Sequence, residues 1–186
     1  MAYSTFPDVV YLDSSFLINL LSYKVDPAWG KYKKCKLLYD HLLKSKIRLV
    51  ASLFTLEETI YFLFFKQKLL TRAKSSGYKN VKDFKTKDPT GFEAYYKQFC
   101  GIPRLIVNDS RALGIRFMHP KYINPRLDST KRIRDYAIKL LEKYSDLDSK
   151  DAFHVAIARN LRIEMLISCD KDFAAVTEIS SFNPLN

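Results

Sequence analysis

The stretch "DSKDAFHVAIARNLRIEMLISCDKDF" (residues 148–173) decides the fold. Its pattern predicts a helix over residues 148–160, followed after a turn by a buried strand over Met165–Cys169. The helix runs about 18 Å along its axis, and the strand returns roughly 16 Å in the opposite direction. We therefore expect Asp151, in the first helical turn, and Asp170, just past the strand, to lie at the same edge of a sheet.

Two other predicted strands are also followed by acidic residues. The apolar run Val9–Leu12 ends at Asp13, and a second run over residues 47–52 leads into a helix that begins near Glu57 and Glu58. Alternation of strands and helices at both ends of the chain indicates an α/β fold with a parallel sheet. The carboxyl ends of parallel strands share one edge, where open α/β sheets place their sites.

Carboxylates gathered in this way indicate a metal site. Like charges in close proximity raise one another's pKa and destabilise the fold, and a divalent cation relieves that repulsion. Oxygen ligands without a neighbouring Cys or His suit Mg²⁺ or Mn²⁺ rather than zinc. Such an ion can activate water and stabilise charge on a phosphate, which predicts phosphodiester chemistry.

The charge of the chain favours a polyanionic partner. It carries 31 Lys and Arg against 20 Asp and Glu, a net charge of +11. This balance points to nucleic acid first and to an acidic membrane surface second. With 186 residues, of which 47% are hydrophobic, the chain is expected to form one domain with a sizeable core.

Cysteine usage and hydropathy bear on the compartment. Cys35, Cys100 and Cys169 are far apart and odd in number, so neither a zinc site nor a disulfide framework is expected. This usage is typical of a reducing cytoplasm. The N-terminus lacks the pattern of a signal peptide, and the most apolar run (residues 59–65) is too short to span a bilayer. We expect a cytoplasmic protein without membrane association.

A basic run occupies residues 66–87, with eight Lys or Arg against one acid and with Tyr78 and Phe84 between them. Loop signals predict an exposed connection over about 72–91. The run is either a solvated arm or a nucleic-acid grip, in which lysines neutralise phosphates while Tyr78 or Phe84 stacks on a base. The candidates for this grip are Lys66, Lys68, Arg72, Lys74, Lys79 and Lys82.

The remaining predictions concern local structure. Prolines make residues 119–125 irregular, and the next helix should be capped by Asp128 or Ser129. A short edge strand is predicted near Val176–Ile179. Further helices are expected over residues 28–45, 54–70 and 92–99, and beyond residue 103.

Four segments resemble the acidic motifs of PIN-domain nucleases, especially the VapC-like toxins: "VVYLDSSFLINLL", "VASLFTLEETIYF", "DAFHVAIA" and "LISCDKDF". The resemblance covers roughly residues 8–66 and 128–176. It implies a three-layer PIN-like domain over residues 1–186, in which helices cover both faces of a parallel sheet of about five strands. Residues 67–127 form an inserted basic, helical region, longer than the corresponding arm of a compact toxin.

The resemblance also implies an activity and the residues that carry it. The activity is Mg²⁺- or Mn²⁺-dependent hydrolysis of single-stranded RNA, which leaves 5′-phosphate and 3′-hydroxyl ends. The implied partners are the RNA substrate, an antitoxin protein and a second copy of the chain in a homodimer. The implied catalytic acids are Asp13, Glu58, Asp151 and Asp170, and the implied metal ligands are Asp13, Asp151, Asp170 and Asp172. Ser14 and Ser168 would support these ligands by hydrogen bonding.

Within the second motif the family's spacing selects Glu58 over Glu57, because the acid lies six positions after the serine that ends the strand. Each acid also has a structural interpretation. Asp13 and Asp148 can cap helices, and Asp151 can favour a helix N-terminus through the macrodipole. Asp170 and Asp172 can stabilise a turn, and His154 is expected to be structural or to support the site.

Three alternatives to a toxin ribonuclease remain at this stage. One is a non-catalytic RNA-binding module that keeps the PIN scaffold, and the second is an RNA-processing nuclease unrelated to toxin–antitoxin systems. The third is a structural α/β protein whose acids only cap helices and turns. Gathered carboxylates argue against the first alternative, because RNA binding alone does not favour them.

Overall fold

A parallel five-stranded sheet forms the centre of the molecule, with strand order β3-β2-β1-β4-β5. The computed structural model describes residues 6–24, 31–118 and 129–185, and the side chains within these ranges except those of Lys24, Ser129 and Thr130. The strands are β1 (Val9–Leu12), β2 (Arg48–Ser52), β3 (Arg116–Met118), β4 (Met165–Ile167) and β5 (Ser180–Phe182).

Helices connect these strands. In chain order they are α1 (Ser14–Leu21), α2 (Tyr32–Lys44), α3 (Leu53–Ile60), α4 (Thr71–Ser75), α5 (Val81–Lys87), α6 (Pro89–Phe99), α7 (Ile102–Ala112), α8 (Ser129–Lys143) and α9 (Ser149–Asn160). A π-helix over Tyr61–Leu70 joins α3 to α4, and short 3₁₀ turns cover Ser22–Lys24 and Asp172–Ala175. Within the described ranges, no helix is both long and apolar enough to cross a membrane.

Helices cover both faces of the sheet, so the fold has three layers. Side chains alternate between the faces along each strand. Leu12 therefore packs into one apolar cluster with Leu17 of α1 and Leu38 of α2. Tyr11 faces the opposite side, where it belongs to a second cluster with Val155 of α9. The expectation of a three-layer α/β fold with a five-stranded parallel sheet is confirmed.

The strands differ from the predictions at the edges of the sheet. The short edge strand predicted near Val176–Ile179 is present, but its bounds are wrong, because it runs over Ser180–Phe182. The apolar side chains of Val176 and Ile179 are buried in the second cluster, which explains the apolar pattern. The backbone between them forms a turn and not a strand. β4 ends at Ile167, two residues before the predicted end.

The strand β3 was not predicted at all. It has three residues and lies within residues 67–127, which are predicted from the sequence to be inserted and helical. Three residues are too few for an alternating pattern, and only their position beside β2 makes them part of the sheet. The inserted helical region therefore ends before Arg116.

The prediction of an exposed connection over residues 72–91 is also wrong in part. The loop signals there are helix starts: Asn80 caps α5 by accepting from the Asp83 N–H, and Asp88 caps α6 by accepting from the Gly91 N–H. Asn, Asp and Pro are common both in turns and at helix N-termini, which explains the error. The helices predicted near residues 92–99 and beyond 103 correspond to α6 and α7.

Some local predictions fall on residues outside the described ranges. These are the irregular segment 119–125, the cap at Asp128 and the start of the helix predicted from residue 28. The helix itself is present as α2 from Tyr32.

Candidate active site

The predicted acids meet at the carboxyl edge of the sheet, around a cleft of about 250 Å³. β1 and β4 are neighbours, with Leu12 paired to Ile167, so the residues that follow these strands lie side by side. Five predicted acids line the cleft: Asp13, Glu58, Asp151, Asp170 and Asp172. Oxygen atoms of Asp151, Asp170 and Asp172 all lie within 4.8 Å of one another, as do ligand atoms of Asp13, Glu58 and His154.

Asp13, a member of the group with Glu58 and His154, is held by several hydrogen bonds. Its carboxylate is almost buried, and Oδ2 accepts hydrogen bonds from the Ser15 N–H (3.1 Å), Ser15 Oγ (2.6 Å) and Ser168 Oγ (2.9 Å). Ser14 Oγ lies at 3.4 Å from Oδ1. Asp13 is thus the N-cap of α1 and at the same time a member of the acidic cleft. The structure places Ser168 and Ser14 beside the carboxylate that they were expected to support.

Glu58 faces the cleft, whereas the side chain of Glu57 is exposed. Both carboxylate oxygens of Glu58 have cationic partners, with Oε2 at 2.7 Å from His154 Nε2 and Oε1 at 3.0 Å from Lys150 Nζ. Burial alone would raise the pKa of Glu58, but the hydrogen bonds and charges of His154 and Lys150, with a hydrogen bond from Ser14, lower it to about 2. Glu58 is therefore ionised throughout the physiological range.

His154 lies beneath the cleft and joins it to the core. Its ring is 1% exposed and also lies 3.3 Å from Asp13 Oδ1. Burial lowers its pKa, but the charge and hydrogen-bonding effects of Tyr11, Asp13 and Glu58 raise the pKa well above the ordinary value. In the protonated ring both N–H groups donate, Nε2 to Glu58 and Nδ1 to Tyr11 at 2.9 Å.

The Tyr11 hydroxyl continues this chain of hydrogen bonds into the sheet. It donates to Ser52 Oγ at 2.9 Å and lies 3.1 Å from Thr55 Oγ1. Ser52 in turn caps α3, the helix that carries Glu58. The network therefore links Ser52, the cap of α3, to His154 on α9, and each of these helices carries an acid of the cleft.

The pKa of Asp151 shows the electrostatic repulsion among the gathered carboxylates. Burial, followed by the negative charges of Asp148, Asp13 and Asp170, raises the pKa of Asp151 to about 7. Asp148 itself caps α9 by accepting from the Lys150 and Asp151 N–H groups at 2.7 and 2.9 Å, as predicted. An ionised Asp151 in this position needs a compensating positive charge.

Asp170 and Asp172 lie in a turn and face the cleft together. The Asp172 N–H donates to Asp170 Oδ1 at 3.1 Å, and the Asp170 N–H donates to Ser168 Oγ at 2.9 Å. The predicted turn role is therefore present, and it does not exclude a second role. The turn bonds orient the two carboxylates toward Asp151.

The basic candidates separate into one cleft residue and an arm. Lys66 lines the cleft beside Tyr61 and Phe62, and its ammonium lies 5.2 Å from the Phe62 ring centroid. The other five lie further along the chain and do not line the cleft: Lys68, Arg72, Lys74, Lys79 and Lys82. Among them Arg72, Lys74, Lys79 and Lys82 are exposed, and the Arg72 guanidinium also lies 5.5 Å from the ring centroid of Tyr95.

The expectation that Phe84 could stack on a base is wrong. Its ring is 2% exposed, stacked on Tyr78 at 4.8 Å between centroids and in edge contact with Phe92 at 5.6 Å. These aromatic rings form the small core that holds α5 against α6. Tyr78 is half-buried in the same stack.

Three residues of the site were missed from the sequence: Ser15, Lys150 and Tyr11. Ser15 stands in the quoted "LDSS" motif, so its proximity to Asp13 was a usable signal. Lys150 precedes Asp151, but its contact with Glu58 joins residues from distant parts of the chain. Tyr11 looked like an ordinary strand residue, and nothing in the sequence distinguishes it.

Comparisons with known proteins agree with this fold. The family model described as PIN domain matches residues 10–179. The structure is similar to the crystal structure of VapC20 from Mycobacterium tuberculosis, named as a sarcin–ricin loop cleaving toxin, with a TM-score of 0.51 and 16% sequence identity. That alignment covers 90% of this chain and 95% of the VapC20 chain. No curated protein matches the sequence significantly. Because the family model matches nearly the whole chain, the protein belongs to the PIN domain family.

Proposed function

We propose that this protein is an endoribonuclease that uses a divalent cation to hydrolyse RNA phosphodiester bonds in its acidic cleft. The observation that carries the proposal is the convergence of Asp151, Asp170 and Asp172, whose carboxylate oxygens lie within 4.8 Å of one another beside Asp13. Membership of the PIN domain family and the net charge of +11 support it. Three ionised carboxylates this close together repel one another unless a cation lies among them.

The residues of the cleft fit Mg²⁺ or Mn²⁺. The ligand set would be Asp13, Asp151, Asp170 and Asp172, which offers only oxygen atoms. The raised pKa of Asp151 has its cause in burial and in the charges of its acidic neighbours, and the positive charge of a cation would offset that rise. A divalent ion bound there would activate water and stabilise the negative charge that develops on the scissile phosphate.

The side chains of the cleft have distinct tasks in this proposal. Ser15 and Ser168 fix the orientation of Asp13, so its carboxylate would be held in place at the cleft before an ion binds. His154 and Lys150 keep Glu58 ionised and hold its carboxylate in a fixed position on the α3 side of the cleft. Lys66 and the exposed ring of Tyr61 lie at the rim, where an RNA phosphate and a base can be received.

The basic arm is proposed to bind the RNA outside the cleft. Lys74, Lys79 and Lys82 are exposed on the helices and turns that follow the π-helix, further along the chain than Lys66 at the cleft. Lysines on such a surface neutralise phosphates without reading the sequence. The grip would be electrostatic, because Phe84 is part of the core of the arm.

The finer role that we propose is that of the toxin in a toxin–antitoxin pair, acting in the cytoplasm. The shared fold with VapC20 supports this role, since that protein is named as a toxin. An antitoxin would cover the acidic cleft, for instance by placing an arginine among its carboxylates. Growth arrest on expression, relieved by co-expression of a small neighbouring gene product, tests the role. Light scattering tests whether the chain forms the expected homodimer.

The test of the enzymatic proposal is cleavage of total cellular RNA by purified protein in Mn²⁺ and in EDTA. We expect Mn²⁺-dependent products with 5′-phosphate ends, and their loss in Asp13→Asn. The matched control is Asp40→Asn, which changes a half-exposed acid on α2 that is not part of the cleft lining. Cleavage that persists in EDTA or in Asp13→Asn would refute the proposal.

A further inference from the structure

Two of the three cysteines meet behind the acidic cleft, although they are 134 residues apart. Cys35 of α2 and Cys169, the residue before Asp170, have their sulfur atoms 3.5 Å apart. Cys35 is fully buried and Cys169 is half-buried. Both are free thiols, and a disulfide would require the sulfurs to approach by about 1.5 Å. The pair is therefore in contact and chemically competent to be joined.

Cys169 is also bonded into the cleft. Its backbone N–H donates to Ser15 Oγ at 2.9 Å, and the same Oγ donates to Asp13 Oδ2 at 2.6 Å. The next residue along the chain is Asp170, a proposed metal ligand. A displacement of Cys169 toward α2 would therefore act on the acids from both sides, through Ser15 on Asp13 and through the backbone on Asp170.

We propose that Cys35 and Cys169 form an oxidative modification site, at which a peroxide converts the dithiol into a reversible disulfide that weakens divalent cation binding in the cleft. The second half of this proposal rests on the proposed metal-dependent function, and the first half does not. In cytosolic proteins of mesophiles, disulfides are usually transient and catalytic or redox-sensing. A reversible disulfide at this site is therefore compatible with a reducing compartment.

The chemistry proceeds in two balanced steps. The sulfur of Cys169, the more accessible thiol, attacks one oxygen of hydrogen peroxide, so an S–O bond forms, the O–O bond breaks and the departing hydroxide is protonated to water. The sulfur of Cys35 then attacks the sulfenic sulfur, forming the S–S bond, and the S–O bond breaks with release of a second water. The two sulfurs together lose two electrons, which reduce the peroxide.

The thiol of Cys35 stays protonated in the reduced protein. Its hydrogen bond to Cys169 and its burial raise the pKa of the Cys35 thiol far above the ordinary value. Because Cys169 is the more accessible of the two sulfurs and Cys35 is protonated and buried, Cys169 meets the oxidant and Cys35 is the resolving thiol. Cys100 lies apart from them as an exposed residue at the end of α6, with its Sγ 3.4 Å from the Lys97 carbonyl oxygen.

The experiment treats the reduced full chain with a small excess of hydrogen peroxide, then counts thiols under denaturing conditions and maps the peptides by mass spectrometry. We expect the thiol count to fall from three to one, with the peptides of Cys35 and Cys169 linked and both thiols restored by dithiothreitol. Cys100→Ser is the matched control and should form the same disulfide. Cys35→Ser and Cys35→Ala, used together in case one folds poorly, should form none.

Calorimetric titration with Mn²⁺ then compares the reduced and oxidised proteins. We expect roughly ten-fold weaker binding after oxidation, because outer contacts of metal ligands commonly change affinity by that factor or more. A thiol count that stays at three, or a disulfide through Cys100, would overturn the modification site. Unchanged Mn²⁺ affinity in the oxidised protein would overturn its coupling to the cleft. If the reduced protein binds no Mn²⁺, the proposed metal-dependent function is refuted, and so is the effect of the disulfide on metal binding. The thiol count alone still tests whether the disulfide forms.

Discussion

Glu58 of α3 and His154 of α9 are joined by a hydrogen bond of 2.7 Å between Oε2 and Nε2. The two helices come from opposite ends of the chain, 96 residues apart, and each also contributes an acid to the cleft. The bond therefore does more than satisfy a buried imidazole. It also fixes Glu58 against α9, the helix that carries Asp151.

This relationship makes His154 a positioning residue that can be tested. His154→Ala removes the partner of Glu58 Oε2 and leaves the Tyr11 hydroxyl with one partner fewer, in a buried setting. We expect the free energy of unfolding to fall by about 2–4 kcal/mol, combining a cavity with lost buried hydrogen bonds. We also expect Mn²⁺ affinity to fall about ten-fold or more. Urea unfolding and calorimetric titration measure the two effects.

His154→Gln is the control for this prediction, because glutamine keeps one donor toward Glu58. It should recover part of the Mn²⁺ affinity lost in His154→Ala. If both variants bind Mn²⁺ like the wild type, His154 is only structural and the link to the cleft is absent.

The raised pKa of Asp151 predicts how the metal-free protein responds to pH. The folded-state pKa of about 7 exceeds the ordinary carboxyl value of about 3.9. Folding therefore favours the protonated form, so the stability from this group is full below about pH 4 and is lost as pH rises toward 7. Thermal melts of metal-free protein should show that Asp151→Asn gains stability relative to wild type between pH 5 and 8.

Cation binding should have the opposite pH dependence at the same residue. Below pH 7 a cation must displace the proton of Asp151, so Mn²⁺ affinity should rise as pH increases from 6 to 8. Isothermal titrations at several pH values, in buffers of different ionisation enthalpy, measure both the affinity and the protons released. No proton release at pH 6 would contradict the raised pKa.

The arm predicts a change in salt dependence. Replacing Lys74, Lys79 and Lys82 together with glutamine should weaken binding of single-stranded RNA and reduce the slope of log affinity against log salt by about 2. The matched control replaces the exposed Lys33, Lys44 and Lys46, in or just after α2, and makes the same change in net charge. Fluorescence anisotropy with a labelled, uncleavable RNA in EDTA measures both sets. Equal effects of the two sets would show only a general charge effect.

Ser15 predicts a local effect on Asp13. Ser15→Ala removes the 2.6 Å hydrogen bond to Asp13 Oδ2 and the acceptor of the Cys169 N–H. We expect a loss of about 1–3 kcal/mol in the free energy of unfolding, together with weaker Mn²⁺ binding. Ser14→Ala is a useful comparison, since Ser14 Oγ lies at 3.4 Å and should matter less for Asp13. The opposite order of the two effects would refute this account of how Asp13 is oriented.

The sequence by itself determined the central part of the fold. The runs Val9–Leu12, residues 47–52 and Met165–Cys169 predicted three central strands, because a strand buried on both faces must be apolar along its length. The helix starts at Asp13 and Asp148 were also visible, since a cap is a contact between residues two or three positions apart. The direction of parallel strands then predicted that the acids following them would share one edge, and the structure places them there.

Only the tertiary structure decided which residues meet across the chain. β3 (RFM) and β5 (SSF) lack the continuous apolar run that predicted β4, and they are strands because neighbouring strands offer backbone partners. The contacts of Glu58 with His154 and of Cys35 with Cys169 span 96 and 134 residues. No local propensity encodes such distances, because they depend on the packing of helices against both faces of the sheet. Burial in that packing is also what sets the pKa of Asp151 and brings the two thiols together.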